Sequence, residues 1–175
     1  YIIRGDKITE GDVVLGIPSS GLHTNGYSLV RKVFGIDRDP MNLKMVYPDI
    51  GSNLGEALLQ PHRCYYNDLK PFLSTVNGLA HITGGGLVGN IPRILPPGLS
   101  VEIERSSWQV PALFELIQKQ GLVRESEMYN VFNMGIGMAV ITNPAEVDKL
   151  RKGIPDIMII GRVVKSNGSE RVVIK

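Results

Sequence analysis

Three segments of the chain set short polar side chains among glycines, a pattern suited to holding or activating an anionic group. The first is Pro18-Ser19-Ser20-Gly21-Leu22-His23-Thr24-Asn25-Gly26-Tyr27-Ser28. It falls between an apolar run and a helical pattern, where unpaired N–H groups and a partial positive charge favour anions. Ser19, Ser20, Thr24 and Asn25 add small donors, and Gly21 and Gly26 let backbone approach a ligand. His23 could bond a phosphate or exchange a proton near neutral pH. The same residues also suit a plain turn in which Thr24 or Asn25 caps the helix and His23 is merely exposed.

The second segment is His81-Ile82-Thr83-Gly84-Gly85-Gly86-Leu87. Three glycines in a row cost folding entropy, so they make sense where backbone must pass close to something. A phosphate needs several converging N–H donors and is the natural candidate. A tight strand–helix junction is the alternative, with His81 as a core histidine. No Lys-Ser/Thr follows the glycines, so this is not a P-loop, and no acidic partner completes a dinucleotide fingerprint. The third segment, Met128 to Met138, sets Asn133 before a Gly-x-Gly step. Its amide could bond a ligand or cap a helix end, while the Met and aromatic residues read as core.

The elements that must position these residues follow from periodicity and punctuation. Asp12 to Ile17 reads as a buried strand stopped by Pro18, and Tyr27 to Phe34 as a helix. Gly35 to Asn53 shows no period and reads as a long excursion. Leu54 to Gln60 and Asn67 to Thr75 are short helix candidates. Gly78 to Ile82 is a strand, Leu87 to Ile94 a short helix, and Ser100 to Glu104 an alternating strand. Val110, Leu113, Phe114 and Ile117 make a helical stripe, with Pro111 in its first turn and Gly121 at its stop. Ser126 to Phe132 is helical and Gly137 to Thr142 a strand. Pro144 to Lys152 is a helix capped by Asn143. Two strands, Ile157 to Val164 and Arg171 to Ile174, end the chain, with Asn167-Gly168 as the turn of an antiparallel hairpin. This interleaving implies an α+β protein with a mixed sheet, some of it paired in parallel.

Composition excludes several classes. The chain has 175 residues, 43% hydrophobic and 21% charged, with a formal net charge of +2. That fits one folded domain over residues 1–175, not a disordered chain. No block of like charges marks a nucleic-acid surface, and no apolar run approaches the length of a membrane span. No His/Cys/Asp/Glu cluster has metal-ligand spacing, and His62-Arg63 reads as a polar surface pair. The lone Cys64 excludes an intramolecular disulfide and fits a reducing, cytoplasmic setting. Tyr1 to Gly5 lacks both a Met and a signal-peptide pattern, so a processed or excised chain is expected.

Taken together, the segments resemble the C-terminal half of the phosphoribosylformylglycinamidine cyclo-ligase (aminoimidazole ribonucleotide synthetase) family. The matching stretches are Gly11 to Arg31, Ala80 to Leu87 with Asn90-Ile91-Pro92-Arg93, Trp108-Gln109-Val110-Pro111, and Glu127-Met128-Tyr129 with Phe132 to Met138. The first also recurs in a wider ATP-dependent superfamily that includes thiamine-monophosphate kinase and selenophosphate synthetase. The resemblance implies a layered α/β/α sandwich. It implies an ATP- and magnesium-using ligase that closes formylglycinamidine ribonucleotide to 5-aminoimidazole ribonucleotide in purine synthesis, active as a homodimer. The family's N-terminal half, expected to bind most of the ATP and Mg2+ and to make the main dimer contact, has no counterpart here, so this chain is expected to be inactive alone. By resemblance, Gly84, Gly85 and Gly86 would cradle a phosphate, and Ser19, Ser20, Gly21, Thr24 and Asn133 would line the substrate pocket. His23, His81 and Asn25 would serve proton transfer or amide polarisation. The stretch Leu59 to Tyr65 departs from the family, which has Thr, Arg and Ile after the Pro, so the resemblance gives no role to His62 or Cys64. Two other readings are a different phosphotransferase of the superfamily and a phosphate-binding module without catalysis.

Overall fold

The computed structural model describes residues 2–175. A six-stranded sheet runs through its middle. In chain order the strands are β1 (Val13–Pro18), β4 (Val76–His81), β5 (Leu99–Ile103), β6 (Ile136–Thr142), β7 (Met158–Lys165) and β8 (Val172–Ile174). In space they lie β4-β6-β1-β7-β5-β8. β2 (Val46–Tyr47) and β3 (Ser52–Asn53) form a separate small ribbon. That ribbon and short 3-10 turns occupy the stretch without sequence period.

β1 sits between β6 and β7 and pairs antiparallel with both. Both of its faces are covered, which is why Val14, Leu15 and Ile17 form a nearly unbroken apolar run. Alternate residues serve two cores. Val14, Ala139, Ile141, Ile160 and Val163 pack on one face, beneath α1 (Tyr27–Val33), α4 (Gly86–Asn90), α5 (Ala112–Gly121) and α6 (Glu125–Val131). Leu15, Ile17 and Val140 pack on the other, beneath α3 (Tyr66–Leu69) and α7 (Val147–Gly153). A short α2 (Leu54–Leu58) completes the set. The architecture is a layered α/β/α sandwich of the α+β class.

The parallel pairing expected is present in one ladder, and the expected terminal hairpin fails. The four ladders among β4, β6, β1, β7 and β5 are all antiparallel, and the single parallel ladder joins β5 to β8. The last two strands therefore make no hairpin. A strand has two edges, and those of β7 are taken by β1 and β5, so β8 adds outside β5. Arg171 fixes it there, its guanidinium donating to the carbonyls of Leu95, Pro96 and Leu99. The helix expected over 110–121 is present, with Leu113, Phe114, Leu116 and Ile117 buried.

Candidate functional site

The site lies where β1 and β4 end. β1 delivers Ser19 to Gly26 and β4 delivers His81 to Gly86, and β6 between them aligns both exits. The two segments meet: a Cβ added to Gly84 would lie 3.3 Å from Asn25 Oδ1.

Buried polar contacts hold the first loop. Asn133, 2% exposed, accepts at Oδ1 from the Ser19 hydroxyl (3.0 Å) and the Gly135 N–H (2.8 Å), and donates from Nδ2 to the Gly21 carbonyl (2.9 Å). Its amide is engaged inside the protein. The Ser20 hydroxyl donates to the Pro61 carbonyl at 2.6 Å. Neither Thr24 nor Asn25 caps α1; Gly26 stands at the N-cap with φ 81°, and a side chain there would strike the Phe132 ring. Thr24 is exposed and Asn25 half-buried.

The glycine turn is tied down by Asn90. Its amide donates to the carbonyls of Thr83, Gly84 and Gly86, and its Oδ1 accepts from the Thr83 hydroxyl. The three glycines differ in kind. Gly86 is buried, donates its N–H to the Thr83 carbonyl and sits against α6, where a Cβ would lie 1.9 Å from the Tyr129 carbonyl oxygen. Gly85 has φ 99°. Gly84 is exposed and needs no special φ.

The stretch after α2 is strapped across the end of β1. Arg63 pairs with Asp156 and Asp68, and the Tyr65 hydroxyl donates to the Pro18 carbonyl at 3.0 Å. These ties set His62 between the two predicted histidines. His23 and His62 stack with ring centroids 3.9 Å apart and 17° between planes, and the Nε2 atoms of His62 and His81 lie 3.1 Å apart. No local spacing in the sequence reports the three-histidine cluster, because its members come from three separate segments.

His23 is 5% exposed, has φ 57°, and accepts the Ser20 N–H at Nε2 (3.1 Å). Burial first, and then the nearby His62 and His81, lower its pKa from 6.5 to about 4. It is neutral at pH 7, so it brings no positive charge to a phosphate. His81 is exposed; partial desolvation, and then His62, lower its pKa as well. Beside it opens a largely apolar cavity of about 570 Å3, walled by His62, Tyr65, Leu69, Leu79 and Met138. The solvent-facing polar set is thus Thr24, Asn25, His62, His81, Gly84 and Gly85.

Residues 9–174 match the family described as AIR synthase related protein, C-terminal domain. The chain belongs to that family. It is 54% identical over 149 residues to a phosphoribosylformylglycinamidine cyclo-ligase of Desulfitobacterium hafniense, covering 84% of this chain and 43% of that protein. It is 48% identical over 179 residues to one from Caldicellulosiruptor bescii, covering 99% of this chain and 52% of that protein. The chain spans about half the length of the curated relatives it matches. Among solved structures, thiamine-monophosphate kinase from Stenotrophomonas maltophilia aligns over 99% of this chain and 52% of its own at TM-score 0.58 and 14% identity. The E. coli hydrogenase maturation protein HypE aligns over 97% and 47% at TM-score 0.54 and 19% identity. These two likenesses concern the fold. Among the described residues no helix is long and apolar enough to cross a membrane.

Proposed function

We propose that this domain forms the ribonucleotide-binding wall of a composite active site in an ATP-dependent cyclo-ligase that closes formylglycinamidine ribonucleotide to 5-aminoimidazole ribonucleotide. One observation supports it above the others: the fold sets the Ser19–Gly26 loop directly against the Thr83–Gly86 turn, with Asn25 facing Gly84, in a chain whose relatives carry that name. Backbone N–H groups of Gly84 and Gly85 would hold the ribose phosphate, and Thr24 and Asn25 would orient the amide. His81 would move the proton released as nitrogen bonds to the amide carbon and the activated oxygen leaves. His23, neutral and internally bonded, would position the loop. Asn133 and Ser19 would act the same way, one step behind the surface.

Mg2+ prefers oxygen ligands, carboxylates above all. The residues assigned here offer imidazoles, hydroxyls and amides but no carboxylate, so they do not fit that ion, and Mg2+–ATP would be held outside this domain. Catalysis here is then mainly positioning and charge stabilisation.

The test uses the enzyme that carries this domain. Gly84→Val adds bulk where only the flexible Asn25 side chain must yield, so it probes ligand access with little backbone strain. It should raise KM for the ribonucleotide at least about tenfold, and an unchanged KM would remove the phosphate cradle. His81→Asn should lower kcat about 100-fold if it transfers a proton. Unchanged kcat would leave His81 a structural residue.

A further inference from the structure

We propose that His23, His62 and His81 form a binding site for one borderline-soft divalent transition metal ion, Zn2+ being the prototype. Ring nitrogens of the three, one from each, all lie within 4.8 Å of one another. The His62 and His81 Nε2 atoms stand 3.1 Å apart. Two imidazoles on one tetrahedral ion at bond lengths near 2.0–2.1 Å place their nitrogens about 3.3 Å apart, so the spacing of this pair is close to that of two ligands; the exposed His62 ring, stacked on His23 with 17° between planes, must turn for the in-plane lone pairs to meet at one ion. As it stands, the pair shares one N–H···N proton; an ion takes that proton's place, and the donor imidazole carries the proton on Nδ1 instead and stays a neutral ligand.

His23 is the third ligand. It is 5% exposed and its Nδ1 is buried without a hydrogen-bond partner. Its Nε2 lone pair now accepts the Ser20 N–H. Ligation gives up that bond, and because Ser20 is an exposed residue, water can take over its N–H. A cavity opens beside His62 and His81, leaving room for a water as the fourth ligand.

Ligand chemistry selects the ion class. Imidazole suits zinc, copper, nickel and iron, whereas Mg2+ and Ca2+ require oxygen. The carboxylates tied to the neighbouring Arg63 do not compete, because Asp68 and Asp156 are both held in ion pairs with it. The inference stands on this geometry and on no assumption about the reaction. If His81 also moves a proton, the ion and that proton compete for one lone pair.

The test is titration of the untagged chain with Co2+, read by its visible absorption, followed by displacement with Zn2+. One ion per chain in a tetrahedral spectrum is expected, displaced by Zn2+ but not by Mg2+ in excess. His62→Ala, an exposed position with little reason to unfold the chain, should weaken binding at least about tenfold, with an unchanged far-ultraviolet circular dichroism spectrum. His81→Ala should do likewise. Cys64→Ser should leave the spectrum as it was. Absence of Co2+ binding, equal affinity in His62→Ala, or a thiolate-to-cobalt band abolished by Cys64→Ser would each overturn the site. None of these outcomes depends on the ribonucleotide, so they stand apart from the cyclo-ligase test.

Discussion

Around His23 the polar groups are committed inside the protein, whereas across the cleft at His81, Gly84 and Gly85 they face solvent. Ser19, Ser20, Gly21, His23 and Asn133 bond to one another or to neighbouring backbone. Thr24, His81 and Gly84 are exposed, and Asn25 and Gly85 half-buried. The glycine turn repeats the contrast on a smaller scale: Gly86 serves packing and Gly84 faces outward. Residues of the same type, next to each other in sequence, therefore carry different loads. Substitution should separate them by stability on one side and by ligand affinity on the other.

The largest effect belongs to Gly86. At φ 59° and 1.9 Å from the Tyr129 carbonyl, a methyl group forces α4 and α6 apart. Gly86→Ala should cost more than about 4 kcal/mol, read as a collapse of the denaturant midpoint. A cost below about 1 kcal/mol would remove the close approach.

Acid should come next. A histidine whose pKa falls from 6.5 unfolded to about 4 folded binds fewer protons when native, so its contribution is intact above pH 6.5. It is lost as pH drops through about 4. The shift corresponds to roughly 3 kcal/mol. Denaturation at pH 7, 5.5 and 4 should show the loss in the wild type and a smaller one in His23→Asn, asparagine being tolerant of the left-handed backbone there. Equal losses would place the acid sensitivity elsewhere.

Asn133→Ala leaves the Gly135 N–H and the Gly21 carbonyl without their buried partner. It should cost about 2–3 kcal/mol, measured by urea denaturation, and a neutral result would show the pin to be dispensable. Thr24→Ala is the smallest. Exposed and away from the caps, it should change stability by less than about 0.5 kcal/mol in the same assay while weakening the ribonucleotide, which is the signature of the outward-facing wall.

Much of this was legible in the sequence. The buried β1 run, the stripe on α5 and the Asn143 cap, whose side chain accepts the Ala145 N–H, are local patterns and appear where expected. Strand order was not legible, because pairing depends on which edges remain free once β1 is inserted between β6 and β7. The glycines announced a close approach but not which of them made it. His62 read as surface because its meaning comes from the Arg63 and Tyr65 ties that lay it over His23. The cluster exists only once three segments converge.

The most direct measurement is calorimetric titration of this chain with 5-aminoimidazole ribonucleotide, wild type against Gly84→Val, with ATP–magnesium titrated separately. Ribonucleotide binding that Gly84→Val weakens at least about tenfold, with ATP–magnesium weak or silent, is the predicted result. Equal ribonucleotide affinity in both proteins would contradict the account, because the turn would then touch no part of the ligand.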